Sequence, residues 1–111
     1  MNSNEFYDEV LAQQHQLFPG ATIKVLQRLS SYLKLNIRIR ENTFISLRFN
    51  AENDRQDFAL IHQNARIFGY DNLKQWHYHP LADASQHVLC AQPSLRQVFE
   101  EMKAIIETLA S

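Results

Sequence analysis

The clearest pattern in the chain is an alternation. Leu33, Leu35, Ile37 and Ile39 alternate with Lys34, Asn36, Arg38 and Arg40. That period belongs to a strand with one buried and one solvated face, the usual state of an antiparallel sheet. After a polar break at Glu41-Asn42, Ile45, Leu47 and Phe49 continue it. Asn42 suits the positive φ of a tight hairpin. Residues 33–40 and 43–50 are therefore expected to pair, with Leu35, Ile37, Leu47 and Phe49 inward and Arg38, Arg40 and Arg48 on the opposite face. A polar loop over residues 50–56 follows. Phe58, Leu60 and His62 then alternate again, Asn64-Ala65 turns the chain, and residues 66–70 return as a further strand. Residues 21–29 admit two readings. Ile23, Leu26 and Leu29 fit a helix face, whereas Thr22-Ile23-Lys24-Val25 fits a strand after the Pro19-Gly20 turn; the strand is preferred. Val88-Leu89-Cys90 offers a short edge strand.

The two ends of the chain change period. Asn2 and Glu5 have capping-box spacing, and Phe6, Tyr7, Val10 and Leu11 follow at helical spacing until Phe18-Pro19-Gly20 stops the run. Pro93-Ser94 opens a second helix whose apolar face holds Leu95, Val98, Phe99, Met102, Ile105, Ile106 and Leu109. The sum is an α+β fold, an antiparallel β-meander of about five strands with an N-terminal and a C-terminal helix packed on one face. At 111 residues it is expected to be one domain, residues 1–111.

Composition adds mainly exclusions. A formal charge of -1 gives no global attraction to nucleic acid or membrane, although it leaves room for a local patch. No apolar run is long enough to span a bilayer, and the acidic, polar start is unlike a secretory signal. Cys90 is the only cysteine, so no internal disulfide forms and a reducing cytoplasm is the simplest setting. Two glycines and three prolines leave no linker.

The chemistry is concentrated between Tyr70 and His87. Three of the five histidines, His77, His79 and His87, share this stretch with the only tryptophan and with Asp71 and Asn72. In an extended segment His77 and His79 point the same way, and Pro80 biases His79 toward that geometry. Three readings compete. The imidazoles, with Asp71, could hold a divalent transition metal. Alternatively His77 and His79 could act as general base and acid on an RNA phosphodiester with no cofactor required, because histidine titrates near neutral pH. The plainest reading makes them half-buried loop residues bonded to backbone and stacked on Trp76 or Tyr78. Elsewhere, His15 is expected in solvent, His62 as a satisfied core residue and Cys90 as a small buried hydrophobe, a thiolate haem ligand being its one functional alternative. The arginines of the outer strand face gain interest only where they border the histidines.

The run Phe68-Gly69-Tyr70-Asp71-Asn72 followed by His77-Tyr78-His79, together with the order of elements, resembles the TumE-type proteins over residues 19–106. These are toxin components of toxin–antitoxin pairs. The resemblance implies a cytoplasmic toxin restrained by a DNA-binding antitoxin, with Asp71, Asn72, His77 and His79 as the positions that carry over. The resemblance gives a role more than a reaction, and RNA cleavage by the histidines stays the chemistry to test. A non-catalytic protein binding a metal or haem through His77, His79 and His87, a module that pairs through its sheet edge and a homodimer are the other assemblies to weigh. Two departures stand out. The strand over residues 57–62 lacks the tyrosine usual in such proteins, and Leu73-Lys74-Gln75-Trp76 replaces the Ala-Pro-His-His that many members carry.

Overall fold

The computed structural model describes residues 1–109. Helix α1 (Ser3–Leu17) is followed by seven strands and then by helix α2 (Leu95–Thr108). The strands are β1 (Thr22–Leu29), β2 (Tyr32–Arg40), β3 (Thr43–Asn50), β4 (Arg55–His62), β5 (Ala65–Asp71), β6 (His77–His79) and β7 (Val88–Leu89). They form one antiparallel sheet in sequence order. The α+β meander is thus as expected, with seven strands in place of about five, β7 lying where Val88-Leu89-Cys90 offered an edge strand. Residues 77–79 complete a strand instead of lying in a loop.

The alternation sorts the sheet into two faces. Leu33, Leu35 and Ile37 on β2, Ile45, Leu47 and Phe49 on β3, and Phe58 and Leu60 on β4 are buried beneath the helices. Phe6 of α1 stacks on Phe49 with ring centroids 4.5 Å apart, and Phe99 of α2 meets Phe18 edge-on at 5.9 Å. Burying each of these large side chains contributes about 1.5–3 kcal/mol. Helix α1 begins with the expected capping box, Asn2 Oδ1 accepting from the Glu5 N–H while Glu5 accepts from the Asn2 N–H. The Ser94 side chain caps α2 through the Gln97 N–H.

Two local expectations are corrected. Neither Glu41 nor Asn42 takes a positive φ, which among the described non-glycine residues occurs only at Asp54, Gln63, Asn64 and Lys74. Instead the β2–β3 register shifts between Arg38 and Arg40, leaving Ile39 as a bulged extra residue. The shift moves Arg40 opposite Thr43, which is buried on the helix side. Arg40 therefore leaves the solvated face and donates to the carbonyls of Ile106 and Leu109 at the C-terminal end of α2. A cation there satisfies orphan carbonyls and opposes the helix dipole. The second correction concerns the β4–β5 turn. It is made by Gln63 and Asn64, at φ 51° and 65°, and Ala65 already belongs to β5. Positive φ at both central residues matches the twist of the flanking strands.

Candidate functional site

Strand pairing brings the singled-out residues together. Asp71, the last residue of β5, lies opposite His77 of β6, and Gly69 lies opposite His79. Because Tyr70 points into the core, its neighbours Gly69 and Asp71 face the helix-free side, and His77 and His79 face the same way. The extended His-x-His segment thus turns both imidazoles to one point. The loop after Pro80 then folds His87 over them. The three rings lie 4.5–5.1 Å apart by centroid, and one ligand atom from each can be chosen so that all lie within 4.8 Å of one another. His77 and His79 are buried and His87 is exposed.

Hydrogen bonds orient the rings. His77 Nδ1 is 3.0 Å from the Gln75 carbonyl, and His79 Nδ1 is 3.1 Å from the Ala84 carbonyl. A carbonyl only accepts, so both Nδ1 atoms carry the proton and donate. Both Nε2 atoms then turn inward to the same carboxylate oxygen, Asp71 Oδ2, at 3.1 Å each. The two contacts differ in kind. His79 Nε2 is aligned for a hydrogen bond with Oδ2. Since Ala84 O and Asp71 Oδ2 are both acceptors, His79 makes both bonds together only as the imidazolium. His77 Nε2 is misaligned, and it is a buried nitrogen with no hydrogen-bond partner. A neutral His77 would set its lone pair against those of the carboxylate. A proton or a cation between them removes that conflict.

Asp71 itself is held from several sides. Burial pushes its carboxyl pKa up. The Leu73 N–H bonded to Oδ1, the His79 hydrogen bond and the charges of His77 and His79 outweigh this and keep it below the ordinary carboxylate range. Asn72 acts one step further out. Its Oδ1 accepts from the Gln56 N–H and its Nδ2 donates to the Asp54 carbonyl, which pins the end of β5 to the start of β4.

A second feature shares this face. The register places Lys34, Arg48, Asp57, Asp71 and His77 in one cross-strand row, with Asn36, Ser46, Ala59, Gly69 and His79 in the next. Ser46 and Ala59 of the second row form the floor of an open groove of about 280 Å³ whose walls are Lys34, Arg48, Asp57 and Arg66, and Gly69 continues the row toward His79. Gly69 is required there by close approach, because a Cβ would meet the Phe58 carbonyl oxygen at 2.6 Å. Arg66 reaches the Ala84 carbonyl that also holds His79. Arg48 and Arg55 pair with Asp57 at 2.8 and 3.1 Å.

The remaining expectations divide. His15 is exposed. His62 is half-buried and bonds the Thr43 hydroxyl at 2.8 Å. Cys90 is half-buried on the helix side, beside Tyr70, Tyr78 and Glu101, away from the imidazoles. Burial and Glu101 push its thiol pKa up, which disfavours the thiolate that a haem or metal would take. Sequence reasoning missed the groove floor and Ala84. Spacing alone does not show that Ser46, Ala59 and Gly69 fall in register, nor that a loop carbonyl orients a histidine. No helix of the described residues is long and apolar enough to cross a membrane.

No curated protein and no solved structure matches the chain. A family model described as Toxin TumE matches residues 8–109, nearly the whole length, and the chain belongs to that family.

Proposed function

We propose that this chain is the toxin of a toxin–antitoxin pair, and that its effector site is a divalent transition-metal centre held by His77, His79 and His87 with Asp71 beside them. Family membership supports the toxin role and suggests an antitoxin partner. The metal reading rests on one observation above all. The buried Nε2 of His77 has no hydrogen-bond partner and lies 3.1 Å from a carboxylate oxygen that His79 also faces. Metal-bound imidazoles commonly donate their other N–H to a backbone carbonyl, as His77 and His79 do here. An ion about 2.0–2.1 Å from tetrahedral ligands holds those ligands about 3.4 Å apart. His77 Nε2 and His79 Nε2 each lie 3.1 Å from Asp71 Oδ2, the three imidazoles offer atoms within 4.8 Å of one another, and the exposed His87 ring has the freedom to close the rest. Three imidazoles leave one position for water or Asp71, and a bound ion supplies Lewis acidity and an activated water there.

Untagged protein should carry about one equivalent of a zinc-like ion. His77→Ala should lose it, and a chelator should lower the melting temperature of the wild type. No metal above background and no chelator effect would remove the metal centre.

The Asp71–His79 pair favours one alternative, RNA cleavage by acid–base catalysis without a metal. His77 and His79 would exchange protons with the 2′-hydroxyl and the leaving 5′-oxygen to give a 2′,3′-cyclic phosphate, His79 only once its Nε2 has left Asp71. Asp71 would orient an imidazole and Asn72 would hold the loop. Cleavage that survives a chelator, shows a bell-shaped profile between about pH 5 and 8 and is lost in both His77→Ala and His79→Ala is the signature of this reading. In either case expression without a DNA-binding antitoxin should slow growth, and the folded His77→Ala variant should relieve the effect.

A further inference from the structure

The net charge of the chain conceals a separation by face. By register, the helix-free face carries Lys24, Lys34, Arg38, Arg48, Arg55 and Arg66 against only Asp57 and Asp71. Six cations against two carboxylates leave a surplus of four positive charges. The two helices reverse this, with six carboxylates against two cations. Arg28 and Arg40, which bond to the two helix ends, reduce the excess there to two negative charges, so a chain of formal charge -1 is polarised by face. Its positive side is the face that carries the histidine cluster, where His87 is exposed above the buried His77 and His79.

We infer that the groove across this face binds single-stranded RNA and leads it to the histidine cluster. The inference deepens the toxin reading and rests on it for the role of the cluster. The floor runs in register from Asn36 through Ser46, Ala59 and Gly69 to His79. From Ser46 on β3 to His79 on β6 is three strand spacings, about 14 Å. That length suits a short run of nucleotides. Lys34 and Arg48 on one side and Arg66 on the other are placed for phosphates. At the far wall Phe44 has the Arg38 guanidinium 5.4 Å from its ring centre, a cationic aromatic surface on which a base can stack.

The floor favours a single strand over a duplex. A strand with unpaired bases can lower its backbone between the side-chain walls, whereas a duplex would rest on top of them. Asn36 and Ser46 favour RNA over DNA, because they set polar groups on the floor where a 2′-hydroxyl can bond, and that hydroxyl is how a protein tells the two apart. Asp57 neutralises one charge, shared between Arg48 and Arg55, and the pair of arginines keeps a net charge of about one.

The test uses the full chain and an unstructured RNA of about ten nucleotides carrying a 5′ fluorophore, followed by polarisation across a salt series. The comparison is Lys34→Gln/Arg48→Gln/Arg66→Gln. Each lost phosphate contact should reduce the slope of log affinity against log salt by about 0.7, so the triple variant should lose about 2. Its affinity near 0.1 M salt should fall at least about tenfold. If the triple variant melts early, Lys34→Gln alone, which leaves the Arg48–Asp57 pair intact, should lower the slope by about 0.7. Same-sequence DNA, the duplex and polyglutamate should all bind at least tenfold more weakly. No RNA binding by the wild type, an unchanged slope in the folded variants, or equal affinity for DNA, duplex or polyglutamate would overturn the inference. Repeating the titration with chelator-stripped protein and with His77→Ala separates the two proposals. Metal content is read on the untreated protein: RNA binding by untreated protein that carries no metal removes the metal centre and leaves the groove, and bound metal without RNA binding removes the groove alone.

Discussion

The centre of the sheet and its C-terminal edge are held by different forces. In the centre, β2, β3 and β4 are eight or nine residues long and lie over Phe6, Val10, Phe99 and Met102. Their outer face is free to carry charge because the inner face supplies the burial. At the edge, β6 and β7 have three and two residues, too few to bury much. There the chain is tied by Asp71, His77, His79 and the Gln75 and Ala84 carbonyls. Asp57 and Asp71 display the contrast directly, since they face each other across β4 and β5. Asp57 is partly exposed and neutralised by two arginines, which keep their charge at any ordinary pH. Asp71 is more buried and faces two imidazoles in place of guanidinium groups. An apolar centre tolerates a fixed outer charge pattern. A polar edge gathers imidazoles around one carboxylate on the same architecture.

If the centre is held by apolar burial, a charge placed there should be the most damaging change. Ile37 is fully buried, and Ile37→Asp should cost several kcal/mol, about 4 or more, or prevent folding. Urea denaturation or the yield of soluble protein decides this, and a loss under about 1 kcal/mol would show the centre to be far more plastic than argued. A smaller but distinctive effect belongs to β5, on the core side next to that edge. Tyr70 is buried and donates to Glu101 at 2.7 Å. Burial, then the hydrogen bond and the charge of Glu101, raise its pKa well above the ordinary tyrosine value. A raised folded-state pKa means that this stabilisation is full below about pH 10 and is lost as pH rises beyond it, because the unfolded tyrosine ionises first. Tyr70→Phe should cost about 1–2 kcal/mol at neutral pH and flatten the stability curve above pH 10. Melting curves between pH 7 and 11 check both statements, and an identical alkaline slope in the variant would refute the assignment.

Arg40 ties β2 to the end of α2, and Arg40→Met should cost about 0.5–2 kcal/mol while speeding amide exchange in the last turn of that helix. Arg38, two residues earlier, is exposed and bonds only the nearby Glu41 carbonyl. Arg38→Asp should change stability by less than about 1 kcal/mol. Equal effects at the two positions would mean that the Ile39 bulge does not separate them.

Much of the centre was legible because its signal is local. A strand with one buried face must alternate, so Leu33, Leu35, Ile37, Ile45, Leu47 and Phe49 could be assigned from their neighbours alone. The capping box and the Ser94 cap are equally local. Arg40 was misplaced because a bulge inverts the alternation without a strong sequence mark. The strand at residues 77–79 was missed because three residues hold too little period to read, although their common direction was anticipated.

For the site, the chain by itself determined the ingredients and one constraint. It set three histidines and a carboxylate within eighteen residues, and a His-x-His-Pro segment whose two rings share a side when extended. It could not decide which oxygen they face, that His87 folds over them, that two backbone carbonyls fix their tautomers, or that a row of small residues leads to them from a basic face. Those relations join β2 through β7 and the loop at Ala84. They arise only when pairing register and core packing fix the distance between residues far apart in sequence, and no pattern of nearest neighbours encodes that distance.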